Sequence, residues 1–342
     1  MNSEISIIVP VYNEINIIEN FINKLSNAFV NIKAKYIFVD DGSTDGSREW
    51  LEKNLKSFFK KEKYDLIILD KNRGKGYAVR KGIIKIEGSH TILIDSDLEY
   101  DPKDALDLYN QVKKNKDIKV IYGSRYLSGK LQLRRHFFND IAVRFNTWIF
   151  NLLFDQSITD LHTGTKIIKN DLLKSLKLSL NRFGLEIDIS SQISKKNINI
   201  YESGISYIER TVEEGKKITI IDGLLSYYFL FRARFLQNDL QTQISLLYSL
   251  VMMTYIGTFF GMGIGKTMIT VVFALVGLLN AMHRKLIPLS IIFISIFIGS
   301  LFSSGNGRIY PILIFYLLSL WLSKKISIRY NNHDNYFLKF LI

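Results

Sequence analysis

An alternation within residues 1–125 constrains this chain more than any other feature. Short runs rich in β-branched and aromatic residues, at 5–9, 36–40, 66–69, 91–94 and 120–122, are separated by helical spacing of apolar residues at 16–29, 45–59 and 75–86. Strands that alternate with helices build a mostly parallel sheet with helices on both faces, which leaves the strands apolar on both sides. Ligands of such α/β sheets bind beyond the carboxyl ends of the strands. The polar clusters of the chain fall there: Tyr12-Asn13-Glu14, Asp40-Asp41-Gly42-Ser43, Asn72-Arg73-Gly74-Lys75-Gly76 and Asp95-Ser96-Asp97-Leu98-Glu99.

In an extended chain, residues i, i+2 and i+4 point the same way. Asp95, Asp97 and Glu99 are therefore predicted to project together from one strand end. Unpaired, they would repel one another and be costly to bury. Mg²⁺ or Mn²⁺ holding a nucleotide diphosphate relieves both problems, because these ions take oxygen ligands from carboxylates and phosphates. A solvated acidic turn running into a helix at Asp101-Pro102 accounts for the run taken alone; the neighbouring clusters favour the metal. A carboxylate at Asp40 or Asp41 can accept hydrogen bonds from a base or ribose. The 72–76 segment puts glycines and cations at a helix start, a common anion site, without the spacing of a nucleoside-triphosphatase loop.

The composition changes near Gln243. Four apolar runs follow, at 245–264, 268–282, 286–302 and 309–322, each near the ~17–25 residues that cross a bilayer. The expectation is about four membrane helices in 244–323 and a cytoplasmic tail at 324–342. With residues 1–243 cytoplasmic, Arg284, Lys285, Lys324, Lys325 and Arg329 fall inside and only Lys266 and Arg308 outside, which satisfies the positive-inside rule. Residues 1–12 lack the basic start and long apolar core of a signal peptide. The net charge of +13 matches an anionic bilayer and phosphate substrates better than nucleic acid, for which no signature is present. The absence of cysteine rules out disulfides and thiolate metal sites. Residues 131–154 carry Phe137, Ile141, Phe145, Trp148 and Leu152 at helical spacing, near Arg134, Arg135 and Arg144. A basic, aromatic amphipathic helix suits a membrane interface; periodicity alone fits a core helix as well. Residues 223–240 form a second interface candidate.

Taken in order, Ser6-Ile7-Ile8-Val9-Pro10-Val11-Tyr12-Asn13-Glu14, Val39-Asp40-Asp41-Gly42-Ser43-Thr44-Asp45-Gly46-Ser47, Asn72-Arg73-Gly74-Lys75-Gly76, Asp95-Ser96-Asp97-Leu98-Glu99-Tyr100-Asp101-Pro102 and Tyr122-Gly123-Ser124-Arg125-Tyr126 resemble family 2 glycosyltransferases of the GT-A fold. Thr159-Asp160-Leu161-His162-Thr163-Gly164-Thr165-Lys166, Arg182-Phe183-Gly184-Leu185-Glu186 and Arg210-Thr211-Val212-Glu213-Glu214-Gly215-Lys216-Lys217 narrow the resemblance to the dolichyl- or polyprenyl-phosphate sugar transferases.

The resemblance implies a catalytic domain at 1–236 that moves a sugar, with inversion, from a nucleotide-diphosphate sugar of the GDP-mannose or UDP-glucose type to polyprenyl or dolichyl phosphate. It implies Pro10, Tyr12, Glu14, Asp40, Asp41, Lys75 and Asp95 at the nucleotide sugar. Asp95, Asp97 and Glu99 would hold Mg²⁺ or Mn²⁺, and Asp95, Asp97 and Arg125 would be catalytic. Ser124, Arg125, Arg134, Arg135, Arg210 and Lys217 would hold the lipid phosphate, with Arg125 and Arg210 away from Asp41 and Glu14. Many relatives have Gln where Glu99 stands. The partners implied are the donor, the lipid phosphate and the bilayer, with self-association through the apolar runs. Three other readings are weaker. One is a family 2 transferase that acts on another lipid-linked or protein acceptor. A processive polysaccharide synthase needs Gln-x-x-Arg-Trp, and Gln132-Leu133-Arg134-Arg135-His136 departs from it. A non-catalytic scaffold or lipid carrier would not need the metal and nucleotide motifs.

Overall fold

The computed structural model describes residues 3–60, 63–127, 129–181, 184–211 and 220–236. The apolar runs at 244–323, the tail at 324–342, Lys217 and part of the 223–240 candidate lie outside the described residues. The chain divides into two units, Met1–Ala233 and Arg234–Ile342, and the description below concerns the first.

Seven strands form one sheet in the order β3-β2-β1-β4-β7-β5-β8. They are β1 (Ile5–Val11), β2 (Ala34–Asp40), β3 (Tyr64–Ile68), β4 (His90–Leu93), β5 (Val120–Ser124), β7 (Lys166–Lys169) and β8 (Tyr201–Gly204). The first five match the predicted alternation. β7 is antiparallel to both its neighbours, β4 and β5, and the remaining pairs are parallel. β6 (Gln132–Leu133) and β9 (Tyr207–Ile208) form a separate parallel pair.

The pleat of β1 divides the core. Ile5, Ile7, Val9 and Val11 face the side covered by α1 (Ile18–Ala28), α2 (Ser47–Phe58) and α4 (Pro102–Lys114), while Ile8 faces α3 (Lys75–Ile83) and α7 (Gly184–Lys195). All five β1 side chains are buried, as the period-2 argument requires. Short helix α6 (Asn170–Ser175) follows β7 directly. Pro102 opens α4, where it costs no hydrogen bond, and the Asp101 side chain accepts from the Lys103 amide.

Helix α5 (Phe137–Phe154) is two-faced. Phe150 and Phe154 pack into the core, whereas Phe137, Phe138, Ile141, Phe145, Trp148 and Leu152 are exposed, Phe138 at 83 %. Helix α8 (Ile220–Phe231) lies beside it, with Phe145 and Tyr227 rings 6.2 Å apart, and exposes Leu225, Tyr228 and Phe231. A soluble surface seldom gathers so many bare aromatics. Among the described residues, no helix is long and apolar enough to cross a membrane.

Candidate active site

The polar clusters meet at the carboxyl ends of β1, β2 and β4. The chain leaves β1 through Tyr12 and Asn13, the latter with φ 52°. The Asn13 side-chain carbonyl accepts from the Thr44 amide at 2.8 Å, and the Glu14 amide donates to Ser47 Oγ at 2.8 Å. These bonds fix the β1 and β2 ends side by side. Asp40 accepts from Arg48 Nε at 3.1 Å. Both Asp41 oxygens are occupied, by the amides of Arg73 at 2.9 Å and Gly74 at 2.7 Å. Burial raises the Asp41 carboxyl above its ordinary value against the pull of those amides. Gly42 has φ +73°, and a Cβ there would collide with the Lys71 backbone, so only glycine lets the two loops approach this closely. Asp40 and Asp41 thus hold the loops at these strand ends. The Pro10 carbonyl accepts from Ser96 Oγ at 3.0 Å, joining the β1 and β4 ends.

The acidic run departs from the extended geometry predicted for it. β4 stops at Leu93, and the chain turns through Leu98 at φ 58°, so the alternation of side-chain directions does not apply. Asp95 turns to Lys75 Nζ at 2.7 Å, which also reaches Glu186 on α7 at 2.7 Å. Burial disfavours the Lys75 ammonium, but Asp95 and Glu186 more than offset it and raise its pKa. Glu99 accepts from the Tyr207 hydroxyl at 2.9 Å and the Arg210 amide at 3.0 Å. Among the described residues, no three carboxylate or imidazole side chains stand ready as a metal-holding group. Arg210 reaches Glu14 at 2.9 Å and lies 3.9 Å from both Asp97 and Glu99. The expectation that Arg210 lies away from Glu14 is therefore corrected: Arg210 sits among Glu14, Asp97 and Glu99, because the segment after β9 is tied to Glu99.

The chemistry of this cluster fits a divalent cation. Burial and the charges of Glu99 and Asp95 push Asp97 up to about 8, with Arg210 pulling the other way. The acids carry more negative charge than Lys75 and Arg210 compensate, and all their donor atoms are hard oxygens.

A second cluster forms at the β5 end. Arg125 donates to Asp160 from Nε at 2.7 Å, from a terminal nitrogen at 2.8 Å and from its backbone amide at 3.1 Å. Burial would raise Asp160, and the Arg125 guanidinium overrides it and holds the carboxyl below its ordinary range. Arg134 and Arg144 lie on the Tyr126 ring at 4.3 and 4.4 Å and share Asp140 at 3.5 and 2.9 Å. Arg134 also bonds the Arg125 carbonyl. Arg135 donates to the Glu209 carbonyl at 2.9 Å. Ser124 is fully buried, and its hydroxyl is bonded to Thr159 Oγ1 at 2.6 Å. Arg125, Arg134 and Ser124 are thus neighbours, Arg135 is tied to Glu209, and Arg210 belongs to the other cluster.

Sequence reasoning missed Glu186, Asp160, Tyr126 and Tyr207. No local signal singles out Glu186 in a helix that also carries Asp188, Gln192 and several serines; like the others, it needed the fold. The segment 159–165 links both clusters: it supplies Asp160, and a Cβ on Gly164 would collide with the Asp95 carboxylate. Lys166 holds the segment through the Leu161 carbonyl at 3.2 Å and the Thr163 carbonyl.

His162 in this segment predicts an acid sensitivity. Its Nε2 lies 3.1 Å from Asn146 Oδ1, and burial, opposed by Glu186, lowers its pKa to about 4. The unfolded value is about 6.5, so the stability contribution is complete above that pH and is lost as pH falls toward 4, amounting to about 2 kcal/mol at pH 5. Urea unfolding at pH 7.5 and 5 should therefore show the wild type losing more than His162→Gln. Equal losses would refute the assignment.

A protein-family model described as Glycosyl transferase family 2 matches residues 6–176. The chain is 27% identical over 226 residues to a dolichyl-phosphate beta-glucosyltransferase of Dictyostelium discoideum, covering 61% of this chain and 67% of that protein. It is 29% identical to one of Saccharomyces cerevisiae, covering 64% and 71%. It is 24% identical to a dolichol-phosphate mannosyltransferase of Pyrococcus furiosus, covering 62% and 59%. Among solved structures, glucosyl-3-phosphoglycerate synthase from Mycobacterium tuberculosis in complex with Mn²⁺ and UDP-glucose superposes with TM-score 0.52 at 17% identity, covering 68% and 79%. That likeness gives the chain a GT-A-like fold. The family model matches half of the chain, and the chain belongs to glycosyl transferase family 2.

Proposed function

We propose that this transferase moves a hexosyl group from a nucleoside-diphosphate sugar to a polyprenyl or dolichyl phosphate at the cytoplasmic face of a membrane. The observation that carries the reading is the gathering of Arg125, Arg134 and Arg144 around Tyr126, beside a helix whose outer face is bare aromatic. Planar guanidinium groups suit a phosphate, and the aromatic face suits the bilayer that carries its lipid.

The acceptor phosphate has a second pKa of ~6 and is mostly ionised at neutral pH, so it needs no general base. Its oxygen attacks the anomeric carbon from the face opposite the leaving group. The bond from that carbon to the diphosphate breaks, and the nucleoside diphosphate departs with the electron pair. Asp95 and Asp97, with Glu99 beside them, would hold Mg²⁺ or Mn²⁺, which supplies countercharge for the leaving diphosphate. Lys75 keeps Asp95 oriented between the acids and α7. The loops held by Asp40 and Asp41 position the nucleoside, along with Tyr12 and Glu14. Arg125, fixed by Asp160, meets the lipid phosphate. The work left to the protein is alignment of two phosphate-bearing substrates.

The test is to incubate membranes containing the protein with a panel of nucleotide sugars and polyprenyl phosphate, and to weigh the glycolipid formed. Donor hydrolysis without glycolipid would overturn the acceptor assignment. The topology has its own check. In a chain without native cysteine, Lys285→Cys should react only from the cytoplasmic side and Asn306→Cys only from the other. Labelling of position 285 from outside would refute four spans. A Phe145→Asp/Trp148→Asp variant should lose most activity on membrane-embedded acceptor while keeping donor hydrolysis. Apolar burial at roughly 25 cal/mol per Å² is what holds α5 down, and full retention of activity would remove the bilayer from the reading.

A further inference from the structure

Tyr207 touches both clusters. Its hydroxyl donates to Glu99 Oε2 at 2.9 Å, inside the acidic group. Its ring carries the Arg125 guanidinium 5.1 Å from the centroid and packs on Tyr100 at 5.5 Å. The side chain is 5 % exposed. Its backbone is fixed from two directions: its amide bonds the Leu131 carbonyl at 3.0 Å, and the Ile208 amide bonds the Glu99 carbonyl at 3.1 Å. Glu99 in turn receives the Arg210 amide on its other oxygen, and its own amide bonds Asp97 Oδ1 at 3.1 Å.

We propose that Tyr207 is a positioning residue that sets the distance between the two halves of the reaction, its hydroxyl orienting Glu99 among the donor-side acids and its ring orienting Arg125 toward the acceptor phosphate. The proposal rests on the acceptor reading given above. Any buried tyrosine hydroxyl needs an acceptor; here that acceptor is a carboxylate of the acidic group, and the ring carries a guanidinium of the other cluster as well. Here the polar end and the π face are spent on different clusters, so the two functions are separable by mutation.

Tyr207→Phe keeps the ring and removes the hydroxyl. Tyr207→Leu removes both. The measurements are Mn²⁺-dependent binding of the donor's nucleoside diphosphate by calorimetry, and KM and kcat with polyprenyl phosphate, all on the full chain. Tyr207→Phe should weaken Mn²⁺-dependent nucleotide binding about tenfold, the scale of one hydrogen bond to a charged group, and leave the acceptor KM within about twofold. Tyr207→Leu should show the same binding loss and also raise the acceptor KM about tenfold, the scale of a desolvated cation–π contact. In the Glu99→Gln background, Tyr207→Phe should cost much less than it does alone, because the hydroxyl then has no charged partner. Unchanged Mn²⁺-dependent binding in Tyr207→Phe overturns the proposal, as does an acceptor KM raised equally by Phe and Leu. Should the leucine variant fail to fold, the phenylalanine variant and its combination with Glu99→Gln still decide it. A wild type that binds Mn²⁺ and nucleotide but transfers nothing to polyprenyl phosphate defeats the acceptor reading and leaves the link between Tyr207 and Glu99 standing.

Discussion

Asp97→Ala is expected to lower transfer by on the order of a hundredfold to a thousandfold, with the fold intact. Asp97 lies between Asp95 and Glu99, and its carboxyl is pushed up to about 8 by burial and by those two neighbours. Removing one of three crowded acids relieves repulsion in the metal-free protein, so stability should hold or rise. The loss falls on the reaction, because the leaving diphosphate loses its countercharge; electrostatic stabilisation of this kind is worth about 3–4 kcal/mol per group removed. Asp97→Asn tests the same point without a change of shape. Turnover would be measured in a variant whose melting temperature matches the wild type. Near-normal turnover, or full wild-type activity in excess chelator, would sink the metal assignment.

The second large effect concerns Arg125. Arg125→Ala is expected to raise the acceptor KM or lower turnover by about a hundredfold while sparing nucleotide binding, about 3 kcal/mol, the scale of a lost charge-assisted contact to phosphate. Asp160 would be left buried without its two guanidinium donors, keeping only the backbone amide of residue 125, so the alanine variant should also melt early. Arg125→Lys keeps the charge and loses the fork; it should recover much of the stability and little of the acceptor affinity. Calorimetric titration with nucleotide separates the sites, and collapse of nucleotide affinity in Arg125→Lys would show that the division is wrong. Arg210→Ala should behave differently. Arg210 lies against Glu14 at 2.9 Å, so its loss belongs to the donor side.

How much of this was legible varies with the range of the interaction. The five strand runs of 1–125 are local patterns, and they reappear as β1 to β5. The position of the polar clusters at strand ends follows from the same pattern, because chain direction in a parallel sheet puts all those ends on one edge. β7 and β8 had no such signal: β7 is four residues long and enters between β4 and β5 antiparallel to both. Helix α5 was readable as two-faced but not which face the core would take; Phe150 and Phe154 went inward because the space beside Leu161 and Leu185 needed filling.

The sequence by itself determined the α/β architecture of the first 125 residues, the sheet edge where the polar clusters gather and the kinds of group placed there. Those depend on period, on chain direction and on residue type, which are properties of short stretches. Only the tertiary structure decided which charges meet. Asp95 with Lys75 and Glu186, Arg125 with Asp160, Arg210 with Glu14, and Tyr207 between Glu99 and Arg125 are joined across 20 to 196 residues of chain. A buried charge takes whatever opposite charge the fold brings within reach. That choice is made by packing, after the strands are in register, and no local pattern encodes it.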